Sequence, residues 1–172
     1  GTAVIESENT IRINGDNLIE SKNIIIATGC SPKSLPGLEF DHKRILSYKD
    51  AMTLKKLPKN ITIVGAGAIG IEFAYFFNSF GVEVTVVEAL DCILPNEDVE
   101  ISKALERSFK SNNITLKTSS PIQDVKLDKK IKIILPKEEI ETDVLLLAVG
   151  VRGNCQDVLG KMDIKIDNHF IS

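Results

Sequence analysis

The stretch ITIVGAGAIGIEFAYFFNSFGVEVTVVE, from Ile61 to Glu88, constrains the fold of this chain more than any other. Ile61–Val64 is apolar throughout and reads as a buried strand. Glycines at 65, 67 and 70 then make a turn, an apolar helical segment follows to Phe80, and Gly81 is placed to stop it. VEVTVVE returns as a second strand ending on Glu88. Strand, glycine turn, helix and strand together make a βαβ unit with parallel strands. Each glycine then has a distinct physical task. Gly65 permits the sharp turn out of the strand, and Gly70 lets the helix lie close on the sheet. Gly67, having no Cβ, lets the backbone approach a pyrophosphate, whose charge a helix N-terminus favours. Glu88 stands close to the ~20-residue spacing at which an acid accepts hydrogen bonds from an adenosine ribose. The same carboxylate repels a 2′-phosphate, and the ALDCIL that follows carries no Arg or Lys to offset it, which selects NAD over NADP. The alternative is a helix packed tightly on a strand, followed by a surface glutamate. The full order of strand, glycines, helix, strand and acid favours the nucleotide site.

The rest of the chain extends this unit. Upstream, AVIES and TIRIN are β-rich, Asn14-Gly15 signals a turn, and NIIIATG, from Asn23 to Gly29, reads as a continuous apolar strand ending at a glycine. SPKSLPGLEFDHK, with two prolines and a glycine, is a loop. Ser47 with Asp50 three residues on predicts a capped short helix through YKDAMTL, ended by Pro58. On the helix after the glycines, Ile69, Phe73, Phe76, Phe77 and Phe80 fall on one stripe, the expected core face. LPNEDVEISKALERSFKSNN predicts a second helix with Asn96 as its cap, acids in its first turn, cations later, and Ile101, Leu105 and Phe109 facing the core. ITLKT is a third strand. PIQDVKLD, KIKIILP and EEIETD read as three short antiparallel strands, and VLLLAVG returns as a buried strand ending at Gly150. The tail VLGKMDIKIDNHFIS predicts a closing hairpin.

Composition removes several classes of function. The net charge is −3 with no long Lys/Arg cluster, so nucleic acid is not an expected partner. The longest apolar runs, such as VLLLAVGV, are too short to span a bilayer. GTAVIESENT has neither the charged start nor the apolar core of a signal peptide. Cys30, Cys92 and Cys155 are odd in number and widely spaced, which predicts neither a metal site nor a CxxC redox pair. They predict a reduced, intracellular protein, with Cys30 a buried and inert thiol. With His42 and His169 its only histidines, the chain carries no catalytic or metal constellation.

IIIATGCSPKSLPG, LPKNITIVGAGAIGIEFAYFFNSFGVEVTVVE, ILPNEDVEISKAL and LLLAVGVRGN follow one another along most of the 172 residues. In that order and spacing they resemble the flavin-dependent pyridine nucleotide–disulfide oxidoreductases, most closely the dihydrolipoamide dehydrogenase branch. Ile69 stands where glutathione reductases tend to carry tyrosine. The resemblance implies an α/β, Rossmann-like FAD/NAD(P)-binding fold, a parallel sheet with helices on one side and a three-stranded antiparallel meander on the other. It implies a partial FAD-domain segment and linker over 1–37, an NAD-binding domain over 38–160 and the start of the return to the FAD domain over 161–172. Gly65, Gly67, Ala68, Ile69, Gly70, Glu72, Glu88, Ile122 and Gly150 would hold NAD, with Ile122 against the adenine and the Gly150 backbone at the nicotinamide. Thr28 and Gly29 would belong to the FAD side of the longer enzyme. Glu72 otherwise reads as a surface glutamate favoured by the helix dipole; the resemblance puts it beside the nicotinamide, paired with a lysine of the FAD domain.

Two departures bear on function. Val151-Arg152-Gly153-Asn154 replaces the GRxPN of many members, which loosens any role for Arg152. The family's N-terminal FAD glycine motif, its CxxxxC disulfide and its C-terminal interface domain with the catalytic His–Glu pair have no match in these residues. The resemblance therefore implies a central piece that binds NAD and carries no catalytic residue. Its parent would oxidise dihydrolipoamide, borne on a carrier domain of a 2-oxoacid dehydrogenase complex, through a disulfide, FAD and NAD⁺. That parent would be a homodimer of the bacterial cytoplasm or mitochondrial matrix. A parent like glutathione reductase, mercuric reductase or NADH oxidase, and a stand-alone NAD-binding module, are the alternatives.

Overall fold

The computed structural model describes residues 1–160, 162–167 and 169–172. They divide into two compact units, Gly1–Ser31 with Val151–Ser172, and Pro32–Gly150.

The first unit opens with an antiparallel sheet of β1 (Ala3–Ser7), β2 (Thr10–Ile13) and β3 (Asn17–Glu20). Asn14 and Gly15, at φ 52° and 89°, turn β2 into β3, as the Asn-Gly pair predicts. Ile5 shares a small core with Cys155 and Leu159, and Ile24 and Ile26 pack against it. Asn23–Gly29, expected as a continuous apolar strand, joins no sheet. Ile24 and Ile26 face the core while Ile25 is 90% exposed. The backbone is paired like a strand only where a neighbour offers a ladder, and among the described residues none does. β4 (Cys30–Pro32) follows, and Cys30 is half-buried; Cys155 is the buried thiol.

The second unit contains β5 (Ile45–Leu46), α1 (Tyr48–Ala51), β6 (Asn60–Val64), α2 (Ala68–Ser79), β7 (Glu83–Val87), α3 (Val99–Ser111), β8 (Thr115–Lys117), β9 (Asp124–Leu127), β10 (Ile131–Ile134), β11 (Glu139–Thr142) and β12 (Val144–Leu147). Its main sheet has the order β5-β12-β6-β7-β8, parallel throughout. One face packs Ile63, Val84, Val86 and Leu146 against Ala74 and Phe77 of α2 and Phe109 of α3. The other packs Val64, Val87, Leu145 and Leu147 against Ile131 and Ile133 of the antiparallel β9–β10–β11 meander. This is the expected α/β, Rossmann-like arrangement. Side chains of alternate strand positions feed the two cores, so strands buried on both faces are apolar almost throughout. β13 (Val151–Gly153) then pairs with β4, and β14 (Ile166–Asp167) pairs with β15 (Phe170–Ile171) as the expected hairpin. Lys161 and Asn168, which fall in the segment expected over 161–172, lie outside the described residues.

The end of α2 follows its sequence signal, whereas α1 stops at Ala51, short of the expected YKDAMTL. Gly81 sits at φ 78°, the Val82 N–H donates to Phe77 O at 3.1 Å and the Gly81 N–H to Asn78 O at 2.9 Å, which closes α2 with paired carbonyls. Asn113 at φ 59° does the same for α3 through Ile114 N–H to Phe109 O. Which faces the helices bury differs from expectation. On α2 the buried residues are Gly70, Ile71, Ala74 and Phe77, while Phe76 and Phe80 point outward at 43% and 62% exposure. The helix is apolar nearly all round, so spacing alone cannot select a face. The contact at Gly70 selects it, because a Cβ there would fall inside the van der Waals shell of the Gly65 carbonyl oxygen. On α3 the cap is Asp98, not Asn96; Ser102 and Phe109 are buried with Leu105 against the core, and Ile101 is exposed.

The short helix α1 carries the expected capping box. The Ser47 N–H and Oγ donate to Asp50 Oδ2 at 2.8 and 2.6 Å, and His42 Nδ1 lies 3.0 Å from Oδ1. Burial pushes the Asp50 carboxyl up, but the bonds from Ser47 and His42 outweigh it and hold the group below the usual carboxylate range. Asp41 is lowered in the same way, partial burial being outweighed by the N–H groups of Ile45, Lys43 and Arg44. A carboxyl depressed on folding adds stability above its unfolded value of about 3.9, and that stability is lost as pH falls through the folded value. Asp50→Asn is therefore expected to flatten the decline of melting temperature below about pH 4. A decline parallel to that of the unsubstituted chain would refute this.

Candidate nucleotide-binding site

The loops after β6, β7, β8 and β12 converge at the carboxyl edge of the parallel sheet. From β6 the chain steps outward to β7 and β8, then returns to place β12 on the opposite side of β6. The strand order thus reverses at β6, where open α/β sheets leave a crevice for ligands. A cleft of about 580 Å³ lies there. Gly65, Gly67, Ala68 and Ile69 form its floor, Glu88 and Ala89 one side, Ser120, Pro121 and Ile122 an outer wall, and Ala148, Val149 and Gly150 the other side. Leu35 completes it.

The three glycines are not equivalent. Gly65 has φ +99°, and a Cβ on it would lie 2.5 Å from Ala148 O. Gly70 stands behind the cleft, pressed on the Gly65 carbonyl. Gly67 caps α2 at φ −74° and ψ −177°, extended backbone that any residue adopts, and no side chain bonds the helix end. A Cβ added to Gly67 meets nothing within 4 Å.

Glu88 has a role that its position in the sequence does not reveal. Its Oε2 accepts the Ala66 N–H at 2.7 Å, and its Oε1 accepts the Leu90 N–H at 2.9 Å. The backbone around it is also tied across to the next loop. Ser120 N–H donates to Glu88 O at 2.9 Å, and Ser119 N–H to Leu90 O at 2.7 Å. Among the described residues, Glu88 is the one charged residue that lines the cleft.

Seven of the expected residues therefore meet at the cleft: Gly65, Gly67, Ala68, Ile69, Glu88, Ile122 and Gly150. Ile122 precedes β9 by two residues instead of lying within it. Glu72 is exposed on α2 and outside the lining. Thr28 and Gly29 belong to the first unit, where Asn154 donates its N–H to Gly29 O at 3.0 Å and its side-chain amide to Thr28 O at 3.3 Å. Sequence reasoning missed Ser120 and Pro121, although SSP directly follows a predicted parallel strand and so marks a carboxyl-edge loop. Leu35 carried no such signal. Among the described residues no three His, Cys, Asp or Glu side chains are grouped to hold a metal ion, and no helix is long and apolar enough to cross a membrane. The Cys92 thiol is pushed up by burial and by Asp91, which keeps it protonated.

Residues 1–171 match the pyridine nucleotide-disulphide oxidoreductase family. The chain belongs to that family. This pyridine nucleotide-disulphide oxidoreductase chain is 36% identical over 178 residues to the dihydrolipoyl dehydrogenase of Chlorobaculum tepidum, covering 99% of the chain and 37% of the relative. It is 39% identical over 171 residues to the dihydrolipoyl dehydrogenase of Bacillus subtilis, covering 94% of the chain and 36% of the relative. In fold it is similar to the HOCl-induced flavoprotein disulfide reductase RclA of Escherichia coli, with a TM-score of 0.83 and 23% identity, over 98% of the chain and 40% of that protein. The chain spans little more than a third of the length of these relatives.

Proposed function

We propose that the cleft binds NAD(H) as the nicotinamide-nucleotide site of a dihydrolipoyl dehydrogenase. One observation carries this reading, the space at Gly67. The fold itself accounts for Gly65 and Gly70, since a Cβ on either would collide with backbone. It makes no such demand at 67, where the dihedral angles are ordinary and the added Cβ would stand in the open. A ligand that needs that space explains the glycine, and the adjacent α2 N-terminus suits a pyrophosphate. The cleft volume also lies within the usual range of small-molecule sites.

The residues divide the work accordingly. The Ala68 and Ile69 N–H groups at the start of α2 would receive the pyrophosphate oxygens. Each oxygen of Glu88 accepts one backbone bond, which leaves lone pairs for ribose hydroxyls. Among the described residues no cation lines the cleft to receive a 2′-phosphate, so NAD(H) is preferred to NADP(H). Ile122 would cover the adenine, and the Gly150 backbone would border the nicotinamide. When bound, NAD⁺ supplies the hydride acceptor; these residues hold and orient it. Glu72, exposed on α2, would meet the lysine of the FAD domain.

The reading extends to the longer protein. The second unit would be the NAD domain, and the first, with Thr28 and Gly29, a portion of the FAD domain. The parent would oxidise dihydrolipoamide on a carrier domain of a 2-oxoacid dehydrogenase complex as a homodimer, and the present chain would bind NAD(H) without turning over lipoamide. The names of relatives at 36% and 39% identity support this. Parallel calorimetric titrations of the 172-residue chain with NADH and NADPH test the core of it. NADH is expected to bind at least about tenfold more tightly. Equal affinities, or no binding of either, would overturn the proposal.

A further inference from the structure

We infer that Glu88 is a positioning residue, whose carboxylate locks the glycine turn into its ligand-ready shape before any nucleotide arrives. This rests on the nucleotide reading of the cleft and adds a second role for the acid within it.

The glycine turn has an intrinsic weakness. Ala66 lies between two glycines, the residues that constrain a backbone least. Besides the Ile71 N–H to Gly67 O bond into α2, three ties hold it among the described residues: Gly65 N–H to Val87 O at 2.9 Å, Leu94 N–H to Ala66 O at 2.8 Å, and Ala66 N–H to Glu88 Oε2 at 2.7 Å. The third is charge-assisted and is the only one made by a side chain. Ala66 is fully buried and outside the lining of the cleft, so this bond acts from behind the ligand space. Without it a buried N–H would be left unsatisfied, a cost that the turn relieves by moving. The other oxygen, on Leu90 N–H, fixes the carboxylate itself to the turn after β7.

A residue that only reads the ribose and a residue that also shapes the turn make different predictions. The discriminating probe is nicotinamide mononucleotide, which carries one phosphate of the pyrophosphate and no adenosine ribose. The variant is Glu88→Gln, of similar size, whose single carbonyl oxygen can satisfy one of the two amides while its NH₂ confronts the other. In the 172-residue chain, Glu88→Gln is expected to weaken nicotinamide mononucleotide binding roughly tenfold, as for loss of one well-formed bond. Hydrogen exchange at the Ala66 or Leu90 amide should accelerate by about the same factor. Glu88→Asp, one methylene shorter and able to reach only one amide, should give the same pair of changes and serves if the Gln variant does not fold. Loss of AMP binding with nicotinamide mononucleotide binding unchanged within about twofold would reduce Glu88 to a ribose reader and overturn the inference. If the unsubstituted chain binds none of these nucleotides, the nucleotide reading falls. Amide exchange then decides the lock alone: faster exchange upholds it, unchanged exchange removes it.

Discussion

Gly67→Asp is expected to abolish NADH binding while leaving the fold intact or slightly firmer. The residue caps α2 with extended dihedral angles and has open space where a side chain would go. Aspartate is among the best helix caps, a few tenths of a kcal/mol better than glycine, and its charge suits the helix dipole. The melting temperature should hold or rise by about 1–2 °C. The same carboxylate would occupy the space proposed for the pyrophosphate, and like charges brought together cost several kcal/mol, so affinity should fall by at least about 100-fold. Opposite signs for stability and binding make the result hard to mistake. Calorimetry and thermal unfolding on one preparation provide both readouts. If NADH binds within about threefold of the unsubstituted chain, the pyrophosphate does not sit at this helix end.

Gly70→Ala should do the reverse and strike the fold. Three positions along the helix from Gly67, its Cβ would meet the Gly65 carbonyl oxygen, part of the backbone and not a flexible side chain. In an exposed helix the change would stabilise by about 0.5–1 kcal/mol. Here the helix must lift from the strand, and the tight packing of Ile71, Ala74 and Phe77 goes with it. Overpacking of this kind costs about 1–3 kcal/mol or more, so a net loss of about 2 kcal/mol and a melting temperature lower by about 4–8 °C are expected. A variant that melts at or above the unsubstituted chain would show that α2 has room to shift.

The glycine pattern made the core of the fold legible because it demands both a turn and a close helix–strand contact, which few topologies supply together. Gly81 and the Ser47–Asp50 pair marked helix boundaries through their own chemistry. The faces of α2 and α3 were less legible. Phe76 and Phe80 match the stripe as well as Phe77 does, and only contact with the strand separates them. NIIIATG has a strand's composition, yet pairing needs a partner and composition cannot provide one. In the cleft, Gly65 and Glu88 stood out by residue type. The outer wall of Ser120 and Pro121 is defined by where the chain returns from β8, which no short motif encodes.

The ties between that wall and the neighbouring turn run from backbone to backbone, Ser119 to Leu90 and Ser120 to Glu88. Such bonds do not depend on side-chain identity. Substitutions at 121, or at 120 by any residue but proline, can therefore change the chemistry of the cleft wall while it keeps its contour. Selection thus has a surface to retune here without rebuilding the scaffold beneath it.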